Sequence, residues 1–204
     1  MRRRDLVLAA GGRPEPRRIR TRRRGELWGA DVTQVLVLGF LPVAVLGVVD
    51  YFGSRLVAFE PLGWETSSTV ARALEAAFQR HGAPARLLTD RGRVMCSRGV
   101  EALLSRHGVR HTVTHPQHPW TNGRIERVFR LFKETVFGLV WLVASPAQLA
   151  SFCSDFMQWH NRDRPHGSWE GRTPDEVYFG RPRRQGALGT ATYFGGRLRW
   201  YRFG

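Results

Sequence analysis

Three acidic residues stand where a metal-dependent reaction at phosphorus could use them. Asp90 lies in Leu87-Leu88-Thr89-Asp90-Arg91-Gly92, at the end of a short apolar run. Glu126 lies in Pro119-Trp120-Thr121-Asn122-Gly123-Arg124-Ile125-Glu126-Arg127, with 35 residues between the two acids. Asp31 lies upstream, in Leu27-Trp28-Gly29-Ala30-Asp31-Val32-Thr33. Brought together, three carboxylates can hold two divalent cations. Two metals roughly 3.5–4 Å apart are a standard device for in-line attack on a phosphodiester. Without cations the grouping is costly, because close carboxylates repel by roughly 4 kcal/mol per pair at an effective dielectric of about 20. Mg2+ suits such a site, since it takes a few carboxylates and fills its shell with water and phosphate oxygens. Asp31 interrupts an apolar strand pattern, where an unpaired acid is expensive. Glu126 flanks the apolar stripe Ile125, Phe129, Phe132 and Val136. A surface acid paired with Arg130 at i+4 would occupy the same place.

The elements that must position these acids are legible from periodicity. Residues 26–38 read as a first strand carrying Asp31, 43–50 as a second and 55–60 as a third. Short turns join them into an antiparallel meander. Thr66 to Gln79 has apolar residues at helical spacing, a Thr66 or Ser67 cap, and Gly82 with Pro84 as a stop. Residues 86–89 form a short strand ending at Asp90, 97–107 a helix, and 109–113 a fifth strand. A turn-rich stretch, 115–123, leads into a helix from about Asn122 to Trp141 that carries Glu126. A further helix runs from Pro146 to near Asn161. Residues 163–185 read as an irregular arm, and 190–203 as a small hairpin around Gly195-Gly196. The expected organisation is a basic flexible arm (1–25), a core (26–180) and a basic C-terminal tail (181–204).

Charge bounds the partners. The 204 residues carry a net charge of +15, and 42% are hydrophobic, enough for a packed core. Residues 1–24 hold ten arginines against Asp5 and Glu15, so without them the net charge falls to +7. A basic arm of this kind favours a polyanion such as nucleic acid, and arginine rather than lysine suits bidentate phosphate contacts. Cys96 and Cys153 are too few for a zinc site or a disulfide framework, which points to a reducing cytoplasm. Arg2-Arg3-Arg4 precedes an apolar stretch too short for a signal peptide. Val35–Val49 is broken by Gly39, Pro42 and Gly47 and is too short to span a membrane. His111, His115 and His118 lie on a strand and loop interrupted by Pro116, which argues against a metal centre there and leaves substrate positioning for His115. Asp50 reads as a strand-end turn acid.

The order β-β-β-α-β-α-β-α matches an α/β, ribonuclease H-like mixed five-stranded sheet flanked by helices. Residues 26–180 resemble the catalytic core of retroviral integrases and the bacterial insertion-sequence transposases related to them, the DDE superfamily. Trp28-Gly29-Ala30-Asp31-Val32-Thr33 is similar to the family's first-strand motif, and Thr89-Asp90-Arg91-Gly92 to its second. The stretch from His115 to Arg127 resembles the third and is the most specific. Trp159-His160-Asn161-Arg162-Asp163-Arg164-Pro165-His166 and Arg172-Thr173-Pro174 look like the transposase branch. The chain departs from the pattern at Arg91, where the family usually has Asn, and at Trp120, where it usually has a polar residue.

The resemblance implies a transposase or integrase that cuts DNA at mobile-element ends and joins the 3′-hydroxyl to target DNA. It implies Asp31, Asp90 and Glu126 as catalytic residues holding two Mg2+ (or Mn2+) ions. Asn122, Arg130, Lys133, Arg91, Trp120, Arg162 and Arg164 are the expected DNA contacts. It further implies a homo-oligomer on DNA, nucleoid association in the cytoplasm and no membrane. Residues 1–25 are too short for a helix-turn-helix, which leaves room for a separate DNA-binding subunit. Two rival readings remain open: a non-catalytic DNA-binding remnant, and a ribonuclease H-like nuclease acting on RNA–DNA hybrids.

Overall fold

A computed structural model describes residues 19–114, 123–185 and 188–203. Its centre is a five-stranded sheet in the order β3-β2-β1-β4-β5. Strands β1 (Trp28–Val37), β2 (Leu41–Asp50) and β3 (Arg55–Gly63) form the antiparallel meander. Strands β4 (Arg86–Thr89) and β5 (Arg110–Val113) run parallel to β1. The helices are α1 (Ser67–His81), α2 (Arg98–Arg106), α3 (Gly123–Leu139), α4 (Pro146–Arg162) and α5 (Pro174–Tyr178). Thr66 caps α1, Ser97 caps α2 and Ser145 caps α4, each accepting a backbone N–H of the first turn.

Period-2 alternation divides the core between the two faces of the sheet. Leu27, Val35 and Val37 of the first strand, Val43, Val45 and Val49 of the second, and Leu88 of the fourth pack with α3 and α4. Trp28, Ala30, Leu46, Val48 and Leu87 pack on the other face with α1 and α2. Phe59 of β3 anchors the first group, with ring centroids 4.8 Å from Phe132 and 5.1 Å from Phe156.

Three segments differ from the sequence expectation. The 163–185 stretch contains α5, because Thr173 and Glu176 form a capping box around Pro174. Salt bridges from Arg55 to Asp175 and from Arg184 to the buried Glu176 fasten it down. Helix periodicity cannot reveal so short a helix. Residues 19–25, the described end of the basic arm, are docked on the core rather than loose. Gly25 N–H donates to the buried Asp50 at 2.7 Å, and Ile19 packs against the core. Asp50 is the expected turn acid, also accepting from Trp28 Nε1 and Phe52 N. Finally, β6 (Leu188–Tyr193) and β7 (Leu198–Phe203) form the hairpin, but it belongs to the core. Phe194 is fully buried against Phe152, and Trp200 meets Trp159 edge-on at 5.3 Å.

Candidate active site

Two of the three acids are set by strand register. In the parallel β1–β4 pair, Trp28 is opposite Leu87 and Gly29 opposite Leu88. Two residues further on, the same register brings Asp31 level with Asp90. Adjacent strands lie about 4.8 Å apart, and both acids fall on the face covered by α3 and α4, the face of Leu27 and Leu88.

The third acid arrives because the sheet has a hole in its side-chain layer. Gly47 is the antiparallel partner of Asp31. A Cβ there would lie 2.8 Å from Ile125 Cδ1 and 2.9 Å from the Phe129 ring. Helix α3 therefore rests on bare backbone beside Asp31, and Glu126 sits next to the buried Ile125 at that contact. Arg124 fixes the start of the same helix. Its guanidinium donates to Tyr51 O, to Ser54 Oγ at 3.3 Å and to Ile19 O at 3.1 Å, and lies 4.6 Å from the centre of the Tyr51 ring. The Tyr51 ring in turn fills the space over Gly29, where a Cβ would lie 2.7 Å from Tyr51 Cε2.

Local hydrogen bonds orient the carboxylates. Asp31 Oδ1 accepts from the N–H of Val32 at 2.8 Å, and Asp90 Oδ1 from Gly92 at 3.0 Å. A Cβ on Gly92 would lie 2.9 Å from that same Asp90 oxygen. Burial pushes the Asp31 carboxyl up to about 6, with Val32 N–H opposing and repulsion from Asp90 and Glu126 adding to the rise. Burial also pushes the Tyr51 hydroxyl up to about 12, with Arg124 opposing and Glu126 adding.

All three are hard oxygen donors, the chemistry Mg2+ takes, and a cation would offset both the burial that raises Asp31 and the smaller repulsion that adds to it. Among the described residues no three acid, His or Cys side chains yet stand close enough to share one ion. Glu126 is exposed and so has the rotamer freedom to close the set.

The other sequence candidates divide. Arg130 and Lys133 follow Glu126 by one and two turns along the same flank of α3, and Arg91 is exposed directly after Asp90. Trp120 and Asn122, like His115 and His118, lie outside the described residues. His111 is held between Thr89 Oγ1 at 2.8 Å and Glu101 Oε1 at 2.5 Å. Arg162 and Arg164 are not brought to the acids. Arg162 ends α4 and Arg164 follows it at the β3 edge, two strands from Asp31, where Asn161 pairs with both the N–H and C=O of Leu56 at 2.9 Å. Arg164 turns inward, with Nη1 3.1 Å from His166 Nε2 and the guanidinium over Trp159. Sequence reasoning missed Gly47, Tyr51 and Arg124. An isolated glycine amid strand valines was the available signal for Gly47, since it marks close approach of another element.

The fold is thus a mixed five-stranded sheet with one acid within β1, a second directly after β4 and a third on the covering helix α3. Two integrase core domain models match the chain, over residues 21–119 and 107–174. The chain belongs to the integrase core domain family. It is 28% identical over 166 residues to the Gag-Pol polyprotein of Feline leukemia virus, covering 81% of this chain and 9% of that protein. It is 30% identical over 173 residues to the Pol polyprotein of Radiation murine leukemia virus (strain Kaplan), covering 81% and 28%. The chain thus spans a small part of the length of these relatives. Among solved structures it resembles a chain of the simian T-cell lymphotropic virus intasome in complex with PP2A regulatory subunit B56 gamma. That match has a TM-score of 0.70 at 18% identity, over 93% of this chain and 70% of the other. It also resembles the trimeric HTLV-2 integrase catalytic core domain in complex with magnesium, with a TM-score of 0.62 at 17% identity, over 78% and 99%. These two likenesses establish the ribonuclease H-like fold expected from the strand order. Among the described residues no helix is long and apolar enough to cross a membrane.

Proposed function

We propose that this chain is the catalytic domain of a DDE-type integrase or transposase, cutting DNA at element ends and joining the 3′-hydroxyl to target DNA. The observation that carries the reading is the parallel β1–β4 register, Gly29 opposite Leu88, which continued two residues sets Asp31 beside Asp90, with Glu126 on a helix seated on Gly47. Asp31, Asp90 and Glu126 would hold two Mg2+ or Mn2+ ions. When bound, such ions supply a polarised phosphate and an activated hydroxyl or water. The remaining work belongs to the chain. Arg130 and Lys133 hold the phosphate backbone along α3, Arg91 lines the rim beside Asp90, and Tyr51 with Arg124 keeps Glu126 in place. Support for the metal comes from the magnesium complex of the HTLV-2 core domain. Support for a homo-oligomer acting on DNA comes from the intasome and trimeric relatives; cytoplasmic, nucleoid-associated action is part of the same proposal. A separate DNA-binding subunit remains part of the proposal.

The test is incubation with labelled duplex ends and a target duplex, with and without Mg2+. Joined products that need both Mg2+ and a free 3′-hydroxyl support the reading. Cleavage of RNA–DNA hybrids without joining would replace it with the nuclease, and DNA binding without either would replace it with the inactive remnant.

A further inference from the structure

Asp90 directly follows the C-terminal end of β4, and Asp31 lies within β1. The opposite end of the β4–β5 pair carries a concentration of arginine. Arg86 opens β4, Arg110 opens β5, and the two are direct cross-strand partners. Like charges placed opposite one another destabilise a sheet, so this pairing is unfavourable unless an anion compensates it. The chain adds two more arginines instead. Backbone bonds from Ala85 N to Gly25 O at 2.7 Å and from Arg110 N to Ala85 O at 3.1 Å lay the 22–26 segment against these strand ends. Arg22, Arg23, Arg86 and Arg110, with Ala85 and Glu26, line a cavity of about 410 Å3. Glu26 is the one acid of the group. One of its oxygens accepts the backbone N–H of Arg22 at 2.7 Å, and the other lies 3.7 Å from Arg86 Nη2. Four arginines and one carboxylate thus line the cavity.

We infer that Arg22, Arg23, Arg86 and Arg110 form a second phosphate-backbone site, which holds a DNA segment other than the one at the acids. The inference rests on the proposed action on DNA. Arg86 precedes Asp90 by four residues on an extended strand, a separation of about 13 Å at about 3.3 Å per residue. The cavity therefore takes different phosphates from those beside Asp90. Guanidinium forks match phosphate oxygens bidentately, and the backbone bonds that hold the 22–26 segment to the strand ends bring the exposed Arg22, Arg23 and Arg110 and the half-buried Arg86 to one cavity.

The experiment is equilibrium binding of a duplex across a salt series, for the native chain and for the double variant Arg86→Gln/Arg110→Gln. Loss of two phosphate contacts should flatten the log–log salt slope by about 1.8, at about 0.9 per contact. Mg2+-dependent joining at saturating DNA should stay within twofold of native, because neither residue lies at the acids. The variant should melt no lower than native at low salt, since a repulsion has been removed. Glu26→Gln should tighten DNA binding. An unchanged slope in the double variant, beside a native chain that binds and joins DNA, overturns this site and leaves the proposed function standing. A native chain without DNA affinity overturns both. Arginine-dependent binding of polyglutamate but not DNA would overturn the inference in favour of an acidic protein partner.

Discussion

Gly47→Ala should slow strand joining far more than it harms folding. The added methyl would stand 2.8 Å from Ile125 Cδ1 and 2.9 Å from two carbons of the Phe129 ring, where ordinary contact begins near 3.4 Å. Ile125 can swing its terminal methyl aside. The Phe129 ring cannot, since it is buried against Phe59 at 5.9 Å in the aromatic group that seats both helices. The start of α3 must then lift by about 0.5 Å or more, and Glu126 travels with it. Overpacking of this size costs about 1–3 kcal/mol, partly offset by the roughly 0.5–1 kcal/mol that alanine gains over glycine in a strand. Misplacing a catalytic group by about 1 Å costs on the order of 100-fold, so a ten- to hundred-fold fall in joining rate is expected with a modest drop in melting temperature. Gly138→Ala, on the same helix with nothing within 4 Å of its added carbon, should gain up to about 1 kcal/mol and leave joining unchanged. Single-turnover joining at saturating DNA and Mg2+ measures the effect. A Gly47→Ala protein that joins within twofold of native would refute the idea that the bare backbone at 47 sets the seat of Glu126.

Arg124→Leu should cost about 1–3 kcal/mol by leaving the Tyr51 and Ile19 carbonyls without their donor, and should lower joining at saturating DNA; an unchanged melt would show that α3 needs no pin. Burial holds His160 down at about 3 and His166 at about 4, against an ordinary value of 6.5. The unfolded chain therefore takes up protons first, and stability should fall as pH drops from 6.5 toward 4, by about 1.4 kcal/mol per pH unit for each group. His166→Gln should flatten that acid limb by one proton, and an unaltered limb in chemical denaturation would contradict the assignment. Asp31 runs the other way. Its folded value of about 6 lies above its ordinary 3.8, so metal-free stability should fall as pH rises from 3.8 through 6, by roughly 3 kcal/mol at most. Mg2+ should then raise the melting temperature more at pH 7.5 than at pH 5, and Asp31→Asn should abolish that difference; an equal shift at both pH values would count against Asp31 as a ligand.

Most of the sheet and all the long helices could be read from the sequence because their signals are local. The valine alternation of β2, the Ser145-Pro146 start of α4 and the Thr66 cap each announce an element within a few residues. The elements that escaped are those whose stability is borrowed from distant partners. Helix α5 depends on Arg55 reaching Asp175 across 120 residues of chain. Residues 19–25 depend on Asp50, and the docking of the terminal hairpin, itself legible around Gly195-Gly196, on Phe152 and Trp159. The acids Asp31 and Asp90 were visible as motifs, but their alignment is a property of strand register, which no single segment encodes. Arg164 shows the same limit: in sequence it is one more arginine among many, whereas in the fold it also contacts His166 and lies over the Trp159 ring.

The central claim is that Asp31, Asp90 and Glu126 work as one metal-binding group on DNA. The most direct measurement is single-turnover joining of a labelled 3′-hydroxyl end by Asp31→Asn, Asp90→Asn and Glu126→Gln, alongside Mg2+ titration by calorimetry. These changes remove a ligand charge at nearly constant volume, so each variant should keep the native melting profile or exceed it. Each should weaken Mg2+ binding and lose joining by at least a thousandfold, about 4 kcal/mol of transition-state stabilisation. Any one of the three that folds, binds Mg2+ as tightly as native and still joins DNA would contradict the claim and remove that acid from the site.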